Sequence, residues 1–289
     1  MRASFELPSF VVDRIVTLAL EEDVASGDVT TEACVERDTV AKAHAVAREP
    51  LVVCGGPVFE RVFARVDPSV VVETQATEGA HALPGARLWT VRGRARSLLM
   101  AERVALNFAQ RMSGIATRTR SHVDAVPPGA RARITDTRKT TPGLRALERY
   151  AVRVGGGKNH RDGLAAAILI KDNHVAACGG LRSAIERARA AAPHTTKIEC
   201  EVDSLEQLDE ALAAGADIVL LDNLPTAAVV EAVRRTRGRA LLEASGGITL
   251  SRVAELASAG VDAISVGALT HSAVASDIGL DFEAGAGWA

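Results

Sequence analysis

Three short runs carry the residues best suited to chemistry: D-T-R-K-T-T-P-G at Asp136 to Gly143, G-G-G-K-N-H-R at Gly155 to Arg161, and L-I-K-D-N-H at Leu169 to His174. From Asp136 to His174 there are eight Lys or Arg (Arg138, Lys139, Arg145, Arg149, Arg153, Lys158, Arg161, Lys171) against four acids, whereas the whole chain carries −2. A local excess of positive charge threaded between glycines suits a small polyanion. Only five residues of the chain are Lys, at 42, 139, 158, 171 and 197, and three of them fall here. In an Arg-rich chain, an ammonium marks a place for a compact, mobile donor that a guanidinium does not replace. Arg145, Arg149 and Arg153 recur at spacing four and also read as a solvated helix face.

Carboxylates answer these cations further along. In Lys197-Ile198-Glu199-Cys200-Glu201-Val202 the alternation of a strand puts all three charged residues on one face, expected to look inward and to be used on a ligand. The next strand delivers Asp222-Asn223 to its end, beside Glu201. Two carboxylates at one rim, facing Lys and Arg, offer the hard oxygen ligands of a magnesium-bound pyrophosphate; a salt bridge from Glu201 to Lys171 or Lys197 is the structural alternative. Ser245-Gly246-Gly247 precedes a helix that Thr249 or Ser251 could cap, so N–H groups and the helix dipole converge there as a phosphate cradle. Gly267-Ala268-Leu269-Thr270 supplies a second such loop.

The elements that must hold these residues follow from periodicity. A helix is expected from Ser9 to Glu21, then short strands near 40–47, 51–54, 70–74 and 88–91 with a helix near 58–66 between them. Ala95 to Met112 reads as a helix closed by Ser113-Gly114, with Arg96, Arg103, Asn107 and Gln110 on one polar face. After Gly129, strands near 131–135, 166–171, 197–202, 217–222, 239–244 and 262–266 alternate with helices near 143–154, 181–192, 204–214, 225–236 and 250–259. Sequential βα units give a parallel sheet, and six strands, short of eight, give an incomplete α/β barrel preceded by an α+β sandwich domain. A doubly wound open sheet is the alternative. The expected division from this change of pattern is 1–113 and 114–270.

With 289 residues, 47% of them hydrophobic, the chain has material for two cores. A net charge of −2 gives no support for nucleic acid or an anionic membrane as partner. Glu6 and Asp13 near the start, and the lack of a long apolar run, argue against a signal peptide or a membrane span, so a cytoplasmic protein is expected. Cys34, Cys54, Cys178 and Cys200 show no C-x-x-C spacing and are expected to be reduced and mostly buried.

E-R-V-A-L-N-F at Glu102 to Phe108, Q-R-M-S-G-I-A-T at Gln110 to Thr117, the three cationic runs, L-L-D-N at Leu220 to Asn223, A-S-G-G-I and G-A-L-T-H together resemble the quinolinate phosphoribosyltransferase family. The resemblance runs from Gly27 to Asp281. It implies an N-terminal sandwich domain joined by the tail 271–289, on the incomplete barrel, in a homodimer with sites near the subunit interface. The implied reaction transfers the phosphoribosyl group of 5-phosphoribosyl 1-pyrophosphate to quinolinate with magnesium, releasing CO2 and pyrophosphate, in NAD biosynthesis. It further implies that Arg138, Lys139, His160, Arg161 and Lys171 surround the quinolinate carboxylates and that Arg103 reaches in from the partner chain. Glu201 and Asp222 would serve ribose and metal-pyrophosphate, with Lys139 and Lys171 catalytic beside them, and Ser245, Gly246, Gly247 and Gly267 would hold the 5-phosphate. Ala165-Ala166-Ala167 departs from the family pattern, where Gly or Asp is expected, and puts a hydrogen bond beneath the site in question. Two other readings stand beside this one: a Schiff-base barrel aldolase using Lys171 or Lys139, and an inactive phosphate-binding partner protein.

Overall fold

A computed structural model describes residues 7–283. Glu6 and residues 284–289 of the expected tail lie outside the described residues. Two compact units emerge, one taking in residues up to 120, 140–156 and from 270 onward, the other 121–139 and 157–269.

The first unit opens with α1 (Ser9–Val24) and α2 (Val29–Cys34), then β1 (Val40–Ala47), β2 (Leu51–Val52), α3 (Gly56–Val66), β3 (Val71–Thr74), β4 (His81–Ala82), β5 (Arg87–Arg94) and the long α4 (Ala95–Asp124). α2 has too few residues to show a period; it starts because Asp28 accepts the Thr31 N–H at 2.9 Å. β1, β5 and β3 pair antiparallel. α3 lays Val58, Phe59, Val62 and Phe63 into the core, and Phe59 stacks on Trp89 of β5 with ring centroids 4.8 Å apart.

α4 corrects one expectation, because it runs 30 residues and passes straight through Ser113-Gly114. Ser113 does not end the helix; its hydroxyl donates to the Cys54 carbonyl at 3.0 Å and accepts the Cys54 N–H at 3.1 Å. Gly114 is bare because the Val274 carbonyl oxygen lies 1.9 Å from where a Cβ would stand. The glycine is there for close approach of two backbones.

The second unit begins with β6 (Arg133–Thr135). The chain passes through α5 (Arg145–Val154) of the first unit and returns with β7 (Ile168–Ile170), α6 (Asp172–Cys178), α7 (Leu181–Ala191), β8 (Ile198–Val202), α8 (Leu205–Ala213), β9 (Ile218–Asp222), α9 (Thr226–Thr236), β10 (Leu241–Ser245), α10 (Leu250–Ala259) and β11 (Ala263–Ser265). The sheet order is β6-β11-β10-β9-β8-β7, parallel throughout. The strands follow one another in sequence and the first pairs with the last, which is the wrap of a barrel; a doubly wound sheet would reverse direction midway. The fold is therefore an incomplete α/β barrel following a sandwich, with its opening between β6 and β7.

After α11 (Ala268–His271), β12 (Ile278–Phe282) pairs antiparallel with β1 and extends the first sheet to four strands, β12-β1-β5-β3. Arg111 of α4 donates to the Ala273 and Thr270 carbonyls at 2.8 and 2.6 Å and pairs with buried Glu148 of α5 at 2.8 Å. The four cysteines are free thiols, as expected, but only Cys54 and Cys200 are buried; Cys34 is exposed and Cys178 half-buried.

Candidate active site

The strands of the barrel deliver their side chains at their C-terminal ends. Glu201 of β8 and Asp222 of β9 line one cleft of about 300 Å³, together with Asp172, Asp203 and Gln207. Lys171, at the end of β7, donates its Nζ to Oε2 of Glu201. The salt bridge foreseen as an alternative is thus present, and it joins a site cation to a site carboxylate. Lys171 is itself placed by His174, whose Nδ1 accepts the Lys171 N–H at 3.0 Å.

The charged face expected on residues 197–202 is only partly realised. Glu199 and Glu201 fall on one side of β8, Glu199 being 3% exposed. Lys197 lies outside the strand and is exposed, because β8 begins one residue later at Ile198. The inward face therefore holds two carboxylates rather than a mixed trio.

The loop carrying Lys158 to Arg161 runs beside β6. Thr135 and Lys158 form a parallel bridge, and the Lys158 N–H donates to the Ile134 carbonyl at 2.8 Å. Asp136, fully buried, accepts Asn159 Nδ2 at 2.6 Å and the His160 N–H at 2.7 Å. His160 Nε2 stands 3.2 Å from Oε2 of Glu199 and 3.5 Å from Oε1 of Glu243 on β10. The Arg161 N–H donates to His160 Nδ1 at 2.7 Å, and Arg161 Nη1 donates to the Ala167 carbonyl at 3.1 Å. That last bond is accepted by the Ala167 backbone, so it needs no particular side chain at 167. Arg138 and Lys139 are exposed just past β6.

Burial and neighbours set the charge states here. The hydrogen bond to Glu199 raises the His160 pKa. Burial, followed by the charge of Glu199, pushes Glu243 up to about 7, and burial pushes the Cys200 thiol up to about 12. Burial lowers Arg161, helped by the nearby charge of Arg138.

Asp222 and Ser245 are partners in the β9–β10 register, so the Ser-Gly-Gly loop starts beside the carboxylate. Gly246 has φ +86°, and a Cβ there would meet Asn223 Oδ1 at 2.2 Å. Asn223, itself at φ 55°, donates its Nδ2 to Asp222 Oδ2 at 2.8 Å. Neither Thr249 nor Ser251 caps α10 with its side chain; Thr249 occupies the N-cap, and the two hydroxyls stand 3.0 Å apart. With no side-chain cap from Thr249, the N–H groups opening α10 show no side-chain acceptor among the described residues, which suits an anion. Gly267 lies between β11 and α11. Arg103 and Asn107 are exposed on α4, whereas Arg96 holds the Val35 carbonyl at 2.7 Å and Gln110 the Ile278 carbonyl at 2.7 Å.

Models of the N-terminal and C-terminal domains of quinolinate phosphoribosyl transferase match residues 28–113 and 115–281. The chain belongs to the quinolinate phosphoribosyl transferase family. The nicotinate-nucleotide pyrophosphorylase (carboxylating) of Mycobacterium leprae (strain TN) is 51% identical over 271 residues, spanning 91% of this chain and 94% of its own. The crystal structure of NadC from Streptococcus pyogenes superposes with a TM-score of 0.92 at 42% identity, covering 97% of this chain and 100% of that one. The nicotinate-nucleotide pyrophosphorylase from Francisella tularensis gives 0.90 at 37% identity, covering 96% and 98%.

Sequence reasoning left Asn223, Glu243, Asp172 and Asp203 without roles at this family site. Asn223 carried a signal in L-D-N, since Asn is a residue that tolerates positive φ. Glu243 carried none, being one acid in an apolar strand.

Proposed function

We infer that the chain is a transferase joining quinolinate to the phosphoribosyl group of 5-phosphoribosyl 1-pyrophosphate, with loss of CO2 and pyrophosphate, giving nicotinate mononucleotide for NAD biosynthesis. The observation that carries this reading is the Lys171–Glu201 pair, which brings the cationic and acidic groups together at adjacent strand ends in a chain of this family. Arg138, Lys139, Arg161 and Lys171 take the carboxylates of the acid, with His160 in the same loop. The pyridine nitrogen attacks the anomeric carbon, and negative charge builds on departing pyrophosphate in a loose transition state, where Lys139 and Lys171 offset it. Once ribosylated, the ring nitrogen is cationic. When CO2 leaves the adjacent carbon, the bonding pair stays on that carbon as an ylide stabilised by the neighbouring positive charge. The carbon then takes a proton from solvent to give nicotinate mononucleotide, so no separate electron-sink cofactor is needed.

Magnesium belongs to this proposal. Glu201 and Asp222 offer only oxygen donors and share their cleft with Asp172 and Asp203, a donor set that fits a hard divalent ion shared with phosphate. Such an ion supplies charge neutralisation to the pyrophosphate. Ser245, Gly246, Gly247 and the opening of α10 hold the 5-phosphate, with Gly267 opposite. We place Arg103 in the neighbouring site of a homodimer, supported by its exposure on α4. A cytoplasmic place of action is supported by four free thiols and, among the described residues, by no helix long and apolar enough to cross a membrane.

Nothing favours an aldolase, since Lys171 is engaged by a carboxylate as an ion-pair partner and a Schiff base needs a neutral amine. The test is an assay for pyrophosphate and CO2 released from quinolinate plus phosphoribosyl pyrophosphate. Release of neither product from the purified protein would refute the reading.

A further inference from the structure

We propose that Glu199 and Glu243 are positioning residues: together they hold His160 in its Nε2–H form, and His160, through Nδ1 and the Arg161 N–H, fixes the backbone that presents Arg161 to the acidic substrate. The inference rests on the function above only for what Arg161 binds.

The argument begins with the ring. A nitrogen that accepts a backbone N–H at 2.7 Å uses its lone pair, so Nδ1 is unprotonated and the ring proton sits on Nε2. Nε2 points between two carboxylates on different strands, at 3.2 Å from Glu199 and 3.5 Å from Glu243. Those carboxylates are 3% and 5% exposed, and Oε1 of Glu243 has no hydrogen-bond partner among the described residues. Two acids buried side by side are costly unless a donor stands between them, and the Nε2–H is that donor. The Nδ1 contact also keeps the imidazole from carrying a proton on both nitrogens.

A metal ion would suit the separations, because His160, Glu199 and Glu243 offer ligand atoms within 4.8 Å of one another. The tautomer decides against it. A metal takes the Nε2 lone pair and leaves the proton on Nδ1, where the Arg161 N–H already points. Asp136 completes the loop's fixation by accepting the His160 N–H, and Ala167 receives the guanidinium, so Arg161 is held at both its backbone and its head.

The test uses the intact protein with Glu199→Ala, Glu243→Ala and the corresponding Gln variants, which keep an acceptor. The first readout is the ¹⁵N spectrum of His160, which is independent of activity. We expect an unprotonated Nδ1 and protonated Nε2 in the wild type and in the Gln variants, and a mixture of tautomers in the Ala variants. An Nδ1–H or an imidazolium in the wild type at neutral pH overturns the proposal. The second readout is kinetic: KM for quinolinate rises about tenfold in the Ala variants, while KM for phosphoribosyl pyrophosphate and kcat stay within about threefold, and Gln restores most of the loss. Equal loss on both substrates, or loss in kcat alone, would assign the acids a merely structural role. If the wild type shows the stated tautomer but no turnover, the functional reading falls and the positioning network stands.

Discussion

Lys171 and Glu201 are ion-paired across the ends of β7 and β8, so a cation and a carboxylate of the site are each other's partners before any ligand arrives. On the function proposed above, an anion bound at Lys171 would exchange one carboxylate partner for another and release Glu201 toward a hydroxyl or a metal. Both residues are held ready, at low cost in stability, because Lys171 remains 43% exposed at its side chain and solvent screens the pair.

Replacing Lys171 or Arg138 by Ala should lower kcat/KM by about 10² to 10³, the range for removing one group aimed at developing charge. Neither side chain is buried, so thermal melts should stay within a degree or two of wild type. Steady-state rates measured beside circular-dichroism melts check this, and a melt that falls in step with activity would deny the catalytic role.

Quinolinate should be preferred over nicotinate by at least about a hundredfold in kcat/KM. An acid with one carboxylate leaves part of the cationic lining unmatched, and an unmatched polar group is expensive. Competition kinetics with the two acids measures the ratio; a ratio near one would point to chemistry without decarboxylation.

If Arg103 serves the partner's site, mixing Arg103→Ala with Lys171→Ala after dissociation and reassociation restores activity. Random pairing makes about half the dimers mixed, each with one intact site, so roughly a quarter of wild-type activity returns. A residue acting within its own chain would give no recovery.

Arg111→Ala should destabilise the protein by about 3 kcal/mol, because Glu148 is almost fully buried and would lose its ion-pair partner. A drop in Tm of several degrees is the readout. Glu148→Gln in the same background should recover part of it.

Stability should also report on Glu243. Burial raises its folded pKa from 4.5 to about 7, so its favourable contribution is complete below 4.5 and disappears as pH rises through 7. Glu243→Gln should therefore gain on the wild type across that window, by on the order of 2 kcal/mol at pH 8, and differ little near pH 4. Melts from pH 4 to 8 follow the difference; a gap that does not change with pH would refute it.

Much of the barrel was legible because each strand is a short aliphatic run beside an amphipathic helix, and such runs fix strand identity even where ends shift by a residue. The end of α4 was not, because Ser113-Gly114 has the residue types of a helix stop and only the approach of Val274 shows why they continue the helix. Lys197 was misplaced by a one-residue difference in strand start, which decides whether a side chain joins the inner face. The cationic loops and Glu201 with Asp222 stood out by type and spacing. The Glu199–His160–Glu243 cluster could not, since its members lie far apart in the chain and meet only through the sheet order.

β12 closes its sheet against β1 late in the chain: Lys42 pairs with Glu283, 241 residues further on. During synthesis the barrel strands are all made before this partner emerges, while β1 waits with one edge uncovered. The barrel's sequentially neighbouring strands form shorter loops and should assemble first. The sandwich should thus complete its fold last, and a nascent chain with β11 already clear of the ribosome but β12 still inside it would carry a first sheet still seeking its fourth strand.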